Sequence, residues 1–277
     1  MSLSIQQEIE KCDWYHTIEL PGYITKGRYD WRPYLHKFGL DDLAEKTVLD
    51  VGAGNGYFSF EFEKAGASVT ALDIPSQQDR DNNALGMEDK STYQYNYAGF
   101  NSAFSIAKRL LNSNVNRVEM NLYDLSPDNV GTFDIVFCND VLLHLTDPLR
   151  ALCAFRRVCN GSLVVGTPLF DPALFWARGF FHLLKRFPFV HFVGATNSTA
   201  FYLPTATCLE HWVTAAGFKV VKSTSIKPDK ELFEYPQTRG IVTARPEGTE
   251  HPGDNREAGV GQAVGILRAG TKMLLTP

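Results

Sequence analysis

The sequence predicts an α/β fold built on a doubly wound, mostly parallel sheet. Two observations predict it: short apolar runs alternate with helical patterns, and a glycine-rich turn joins the first run to the helix after it. Strands that are buried on both faces appear as continuous apolar runs. At 277 residues, 44% of them hydrophobic and 21% charged, the chain is long enough for one such domain with additions.

Five apolar runs predict the parallel strands. In chain order they are 47–51, 67–72, 118–122, 133–138 and 162–166. Turn-forming or polar residues bound each run, which is typical of short strands inside a sheet. The second strand ends at Asp73 and the third near Asp124, so acidic side chains come at two strand ends.

Helical spacing of apolar residues predicts the first two helices. One runs over 57–65 and ends at Gly66. Another begins at Pro148, with Asp147 as its cap. Its apolar stripe consists of Leu149, Leu152, Phe155 and Val158.

The end of the domain predicts one more helix and a pair of strands. Leu203-Pro204 opens the helix, which runs through Ala216 and ends at Gly217. The apolar runs 218–223 and 240–244 then close the sheet as a hairpin-like pair.

Segments outside this layout predict the domain organisation. Residues 1–46 form an N-terminal cap on a domain of 47–245, and 246–277 form a flexible tail because they lack periodicity. Inserted segments lie at about 75–116 and about 170–200. The second interleaves aromatic and basic residues, so it is a lid over the sheet, a substrate-pocket wall or a membrane-surface face.

Composition excludes several classes of protein. No apolar run approaches the roughly 20 residues of a membrane-spanning helix, and a signal-peptide core is missing, so we expect a cytoplasmic protein without stable membrane insertion. The five scattered cysteines indicate free thiols, and no metal site is expected. A net charge of −4 argues against a chain dedicated to nucleic acid.

The turn in LDVGAGNGYF places glycines between the first strand and its helix. Backbone without Cβ lets a ligand approach, and N–H groups at the helix start face it. A dinucleotide fingerprint requires glycine where Tyr57 stands, which disfavours NAD and an oxidoreductase. Asp73 follows about twenty residues later, where a carboxylate accepts both ribose hydroxyls in this kind of fold.

Four motifs, LDVGAGNGYF, ALDI, NLYDL and FDIVFCNDVLLHLTDPLRAL, resemble those of the class I S-adenosylmethionine-dependent methyltransferases over roughly 47–244. The resemblance implies a Rossmann-like sheet, S-adenosylmethionine as cofactor, and methyl transfer to an O or N acceptor. It also implies that Asp73 binds the ribose and that Asp124 and Leu125 border the adenine. Asn139 and Asp140 would line the methyl-transfer site. The remaining cofactor-binding residues it implies are Asp50, Gly52, Ala53, Gly54, Gly56 and Ile74.

Three further motifs, WYHTIEL, GRYDWRPYL and FYLPTATCLEHWVTAAGF, are similar to a group that includes the tRNA wobble-uridine carboxymethyltransferases and uncharacterised relatives. Those tRNA enzymes use a carboxylated cofactor, and Arg32 matches a basic position of their cofactor site. Their expected aromatic residue falls near Gly27, and their tyrosine before His144 is Leu143. These departures predict a plain methyl donor.

Two histidines are candidate general bases. The cofactor's sulfonium is a good leaving group, so catalysis needs positioning, plus a base if the acceptor is a hydroxyl or ammonium. His144 follows the fourth strand and either removes that proton or ties down the turn before Pro148. His16, among aromatic residues of the cap, is either a second base or a packing residue.

The acceptor remains open between a small molecule and tRNA. A tRNA acceptor predicts a basic stripe, whereas a small molecule predicts a closed aromatic chamber. The acidic net charge favours the small molecule. An alternative of another class is a non-catalytic S-adenosylmethionine-binding protein, but Gly54 and Asp73 are intact. The stripe would use Arg28, Arg32, Arg178, Lys185 and Arg186.

Overall fold

The described residues contain eleven β-strands, which form one seven-stranded sheet and two two-stranded sheets. The structure is a computed structural model that describes residues 4–81, 97–170, 187–194 and 200–248. Its strands are β1 (Glu19–Leu20), β2 (Tyr23–Ile24), β3 (Thr47–Val51), β4 (Ser68–Asp73), β5 (Asn116–Glu119), β6 (Phe133–Asn139), β7 (Cys159–Pro168), β8 (Val190–Phe192), β9 (Tyr202–Pro204), β10 (Phe218–Ile226) and β11 (Arg239–Pro246).

An α-helix connects each pair of successive strands from β3 to β7. The α-helices are α1 (Ile5–Glu10), α2 (Tyr57–Lys64), α3 (Tyr97–Leu110), α4 (Pro127–Val130), α5 (Pro148–Val158) and α6 (Ala206–Ala215). 3-10 helices occur at Arg32–Phe38, Gln77–Asp79, Leu122–Asp124 and Leu142–His144. Within the described residues, no helix has the length and apolar character needed to cross a membrane.

The central sheet has seven strands in the order β10-β11-β7-β6-β3-β4-β5. Strands β3 to β7 run parallel, and β11 runs antiparallel to both of its neighbours. The predicted doubly wound, mostly parallel sheet is therefore confirmed. Because β3, β4 and β6 are adjacent and parallel, their carboxyl ends lie side by side, where open sheets of this kind bind ligands.

The third predicted strand was wrong in its position. Strand β5 is Asn116–Glu119, and Leu122–Asp124 is a 3-10 turn. The Asn121 side chain caps that turn by accepting the Tyr123 N–H at 3.0 Å. Leu122 is buried, so its apolar character reflects packing of the turn, not an extended strand.

Two predicted helix features also need correction. Pro204 belongs to β9, and α6 begins after Thr205, whose hydroxyl accepts the Cys208 N–H at 3.2 Å. A threonine cap suits a helix start, and residues before a proline favour extended backbone. In α5 the cap at Asp147 is confirmed, but Leu149 is 38% exposed and lies outside the buried stripe.

Aromatic side chains from the N-terminal segment and the sheet form one core. Phe38 and Trp31 of this segment pack with Phe58 of α2 and Phe137 of β6. Phe137 is fully buried, and its ring centroid lies 4.8–5.1 Å from those of Phe38, Phe58 and Phe62. The N-terminal segment thus packs directly on the sheet.

Parts of the predicted organisation lie outside the described residues. The structure separates Met1–Glu247 from Gly248–Pro277, close to the predicted start of the tail, but residues 249–277 are not described. Most of the insertion at about 170–200 is also outside the described ranges. Its described part includes β8, which pairs antiparallel with β9.

The aromatic core provides a test of the fold. Phe137→Ala should lower the free energy of unfolding by about 3–5 kcal/mol, because it removes a fully buried ring and leaves a cavity. Urea unfolding measures this. Phe192→Ala, which truncates a ring that is 64% exposed, is the matched control and should change stability by less than about 0.5 kcal/mol. Equal losses in the two variants would contradict the packing described here.

Candidate active site

The turn between β3 and α2 brings backbone to the edge of a cavity. Gly52 and Gly54 adopt left-handed conformations with φ of +75° and +55°, which side-chain-bearing residues rarely adopt. A Cβ on Gly52 would lie 2.3 Å from Cγ2 of Val141, so the turn packs closely there. A Cβ on Gly54 would meet nothing within 4 Å. Gly54 therefore presents open backbone to the cavity.

The carboxylate of Asp73 holds this turn in place. Its Oδ2 accepts the Gly54 N–H at 2.8 Å, and its Oδ1 accepts the Ile74 N–H at 2.9 Å. Burial raises the pKa of Asp73, and the nearby Arg117 guanidinium opposes that rise. The arrangement places an acidic side chain at the end of β4, beside the glycine turn.

Asp50 lies within β3, directly before the turn. It is buried, and its Oδ2 accepts a hydrogen bond from the Ser59 hydroxyl, with 2.5 Å between the two oxygens. Burial raises the pKa of Asp50 to about 7. The Ser59 bond ties β3 to α2, so Asp50 supports the turn from the interior.

The end of β6 carries a buried ion pair. Asp140 has a φ of +56°, and its Oδ2 accepts a hydrogen bond from Nε of Arg239 at 2.9 Å. The Arg239 side chain is 3% exposed and lies over the ring of Phe233 at 4.9 Å. Sequence reasoning missed Arg239; the available signal was an arginine directly before the last apolar strand.

Asn139, beside this pair, has an unsatisfied amide. It is buried, and neither its Nδ2 nor its Oδ1 has a hydrogen-bond partner within the described part of the chain. A buried amide without partners is costly, so a polar ligand at this position would stabilise it.

The two candidate histidines both line the cavity but differ in environment. His16 is 5% exposed, with its ring near those of Tyr15 and Phe58. Burial lowers the pKa of His16 to about 3, and the charge of Arg239 contributes to the same shift. His16 is therefore neutral and weakly basic at neutral pH. His144 lies on the 3-10 turn after β6 and is less buried.

One cavity gathers more than half of the predicted site residues. The predicted residues that line it are Gly52, Gly54, Asp73, Ile74, Asn139, Asp140, His16 and His144. Its other lining residues, which sequence reasoning did not single out, are Tyr15, Leu72, Asp79, Arg80, Asp81, Asn121, Leu122, Val141 and Leu145. Across the described residues, no three histidine, cysteine or acidic side chains cluster as a metal ion would require.

The remaining predicted site residues lie off the cavity lining, so their role in cofactor binding stays a prediction. Asp124 and Leu125 belong to the turn after β5, where their carbonyls accept bonds from Asn129 and Arg157. Arg32 forms ion pairs of 2.7 Å with both Asp30 and Glu19. Asp50, Ala53 and Gly56 support the glycine turn.

The buried Asp50 makes a prediction about pH. Its folded pKa of about 7 exceeds an unfolded value of about 4, so the folded chain keeps a proton that the unfolded chain releases between these pH values. The contribution of Asp50 to stability therefore falls as pH rises from about 4 to about 7. Relative to Asp50→Asn, wild-type protein should lose free energy of unfolding over this range, as measured by urea unfolding.

The exposed carboxylate Asp41 provides the matched control, as Asp41→Asn. A difference between wild type and Asp50→Asn that stays constant from pH 4 to pH 8 would contradict the raised pKa of Asp50.

Comparison with known proteins places the chain in a family. A family profile described as "Methyltransferase domain" matches residues 23–223, which is more than half of the chain. A ubiquinone biosynthesis O-methyltransferase of Xanthomonas oryzae pv. oryzae is 32% identical over 136 residues, covering 48% of this chain and 48% of that protein. A tRNA U34 carboxymethyltransferase of Campylobacter concisus is 26% identical over 217 residues, covering 77% of this chain and 63% of the relative.

These matches span about half of the first relative and less than two thirds of the second. Among solved structures, an O-methyltransferase family protein from Burkholderia thailandensis has a TM-score of 0.52 at 16% identity, over 79% of this chain and 57% of that one. A likeness at this identity concerns the fold alone.

The family profile covers the features that build the cavity. Its range includes the glycine turn, the acidic end of β4 and the end of β6, and these features contain the motifs LDVGAGNGYF, ALDI and FDIVFCNDVLLHLTDPLRAL. The chain therefore belongs to the methyltransferase-domain family, within the class I S-adenosylmethionine-dependent methyltransferases, whose cofactor is S-adenosylmethionine.

Proposed function

We propose that this protein transfers a methyl group from S-adenosylmethionine to an oxygen or nitrogen atom of a small molecule. The observation that carries the proposal is the bond from the Gly54 N–H to the Asp73 carboxylate, at the edge of a cavity that also holds Asn139 and His144. It joins a glycine turn and an acidic strand end, the two features that a nucleoside cofactor needs in this fold.

The residues present fit such a cofactor. Gly54 leaves open space where a side chain would stand, and Asn139 offers an amide without partners in the described chain. Four aspartates and one arginine line the cavity, and the arginines Arg117 and Arg239 behind it face two of those aspartates. The small acidic excess that is left favours a cationic ligand such as a sulfonium. The aspartates are Asp73, Asp79, Asp81 and Asp140.

Each part of the cavity has a distinct task in this proposal. Asp73 would accept the ribose hydroxyls. Asn121 and Leu122, which line the cavity, would border the adenine together with the predicted Asp124 and Leu125. When bound, S-adenosylmethionine supplies an activated methyl group and a good leaving group. The protein then has to orient the acceptor and exclude water, which are positioning tasks.

Between the two histidines, His144 is the better general base. The lowered pKa of His16 makes it a poor proton acceptor, although its neutral ring can still accept a hydrogen bond. His144 lines the same cavity and is less buried. If the acceptor atom carries a proton that must leave, we assign its removal to His144.

The charges favour a small-molecule acceptor over tRNA. The Arg28 guanidinium lies 3.0 Å from Oδ1 of Asp13 and 3.9 Å from Oε2 of Glu234. Arg32 is paired with the carboxylates of Asp30 and Glu19. Arginines that are neutralised in this way contribute little to binding phosphates. The other members of the predicted basic stripe, Arg178, Lys185 and Arg186, lie outside the described residues.

Transfer of tRNA wobble-uridine methyl or carboxymethyl groups is the second candidate, and the similarity to the Campylobacter protein favours it. A non-catalytic S-adenosylmethionine-binding protein is the alternative of another class; release of S-adenosylhomocysteine with an acceptor would exclude it. We also propose a cytoplasmic location, because all five cysteines are free, as is usual in reducing compartments.

Two features of the site favour a plain methyl donor. Asp140 places a carboxylate in the cavity and already pairs with the Arg239 guanidinium, so a carboxylate on the donor would be repelled by Asp140 and would compete with it for Arg239. At Gly27, a Cβ would lie 2.1 Å from the carbonyl carbon of His16. An aromatic side chain at position 27, near which the carboxymethyl enzymes are expected to carry one, would therefore have no room.

Cofactor binding tests the proposed function directly. Asp73→Asn should weaken binding of S-adenosylmethionine by about tenfold or more, since charge-assisted hydrogen bonds contribute about 1.5–3 kcal/mol each. Isothermal titration calorimetry measures the affinity. The exposed Asp41→Asn variant is the control and should bind like wild type. Unchanged affinity in Asp73→Asn would overturn the assignment of this residue.

Donor choice provides the next test. Offered equal S-adenosylmethionine and its carboxylated analogue, wild-type protein should retain mainly the plain cofactor, as judged by mass spectrometry of the bound fraction. Asp140→Asn should raise the fraction of carboxylated analogue, because it removes the competing charge and frees Arg239. A clear wild-type preference for the carboxylated analogue would overturn the methyl assignment and favour tRNA wobble uridine as acceptor.

A further inference from the structure

Arg117, on the edge strand β5, makes contacts that the family motifs do not account for. Its Nη1 donates a hydrogen bond to the Gly54 carbonyl at 3.2 Å, and its Nη2 lies 4.0 Å from Oδ2 of Asp73. Nη2 also donates to Oδ1 of Asn101 at 2.6 Å. The side chain is 15% exposed and does not line the cavity, so it acts from behind the site.

We propose that Arg117 is a positioning residue for the cofactor's ribose, because it locks the glycine turn onto the Asp73 carboxylate. The inference rests on the proposed function and deepens it. Arg117 lies off the cavity lining, so it acts on the cofactor through Gly54 and Asp73.

Asp73 and Arg117 together fix Gly54, because they bind its N–H and its carbonyl. The Gly54 N–H donates to Asp73, and the Gly54 carbonyl accepts from Arg117. Glycine is the residue with the widest backbone freedom, and here both of its dihedral angles are constrained at a φ of +55°. A turn that is ordered before binding spares the ligand the cost of ordering it.

Helix α3 supports the arginine on its other side. Asn101 accepts a guanidinium N–H, and the guanidinium carbon lies 4.5 Å from the centroid of the Phe104 ring. Phe104 also packs against the start of α2, where a Cβ on Gly56 would lie 2.7 Å from its ring. Hydrogen bonding and ring stacking together restrict the orientation of the planar guanidinium.

Electrostatics gives the lock a measurable signature. The charged groups facing Asp73 are Asp50, Arg80 and Arg117, with Glu119 beside Arg117. Burial raises the pKa of Asp73, and Arg117 is the largest influence against that rise. Only the ionised carboxylate accepts bonds from both ribose hydroxyls, so affinity falls as pH drops through the pKa of Asp73. Without Arg117 that pKa rises further, and the loss of affinity begins at a higher pH.

The test compares Arg117→Met, Arg117→Lys and Arg109→Met by calorimetry with S-adenosylmethionine across a pH series. Methionine keeps the packing on Phe104 but loses the charge and both donors, so we expect about tenfold weaker binding and a pH midpoint shifted upward. Lysine keeps the charge without the planar fork and should retain the wild-type midpoint with partly reduced affinity. Arg109, an exposed arginine of α3 paired with Glu8, is the matched control and should be unchanged.

A second readout uses the protein without ligand. Hydrogen exchange at the Gly54 amide should be faster in Arg117→Met than in wild type, because the turn opens more often. If Arg117→Met does not fold, Asn101→Ala provides the same comparison in weaker form, since it removes the lateral bond that orients the guanidinium.

The outcomes separate this inference from the proposed function. Failure of wild-type protein to bind S-adenosylmethionine would overturn the proposed function. Normal wild-type binding that Asp73→Asn weakens, with unchanged affinity, pH midpoint and Gly54 exchange in Arg117→Met, would overturn the inference alone. A loss of affinity that is equal at every pH, with unchanged Gly54 exchange, would also overturn it, because it would indicate general destabilisation.

Discussion

The partly buried carboxylate of Asp73 joins the parts of the molecule on which the site depends. It accepts N–H groups from Gly54 and Ile74 and lies 4.0 Å from the Arg117 guanidinium. These contacts are possible because β3 and β4 are parallel neighbours with adjacent carboxyl ends. Burying a charge is costly unless donors and a counter-charge surround it. The turn contributes the Gly54 N–H to this carboxylate, and α3 contributes Asn101, which binds the Arg117 guanidinium near it.

The sheet and its glycine turn could be predicted because their signals are local. The run at Thr47–Val51 matches β3 residue for residue, and the fold class and family followed from the same motifs. The errors at β5 and α6 share a cause. Apolar Leu122 and Pro204 were assigned to a strand and a helix, but nearby side-chain caps decide the backbone there. Apolar character reports burial and leaves open whether the buried segment is extended or turned.

The electrostatics of the site could not be predicted, because the partners are far apart in sequence. Arg239 lies 99 residues from Asp140, and Arg117 lies 63 residues from Gly54. The motifs identified the carboxylates but gave no sign of which cations neutralise them. The lowered pKa of His16 likewise depends on burial, which arises only once the cap has packed. Eight predicted residues line the cavity. The charge states of the titratable ones among them could be assigned only from the folded structure.

Gly27 limits how this chain can change. Its missing side chain lets two segments of the cap cross in contact, with the Thr17 N–H bonded to the Tyr29 carbonyl at 3.0 Å and the Arg28 N–H to the Tyr15 carbonyl at 3.0 Å. A side chain at position 27 would collide with backbone, which cannot rotate away as a flexible side chain does. Because Tyr15 and His16 line the cavity, displacing this crossing would move two of the side chains that line the site. A change of cofactor that required an aromatic ring at position 27 would therefore require changes in both segments of the cap. A single substitution of Gly27 would first destabilise the cap.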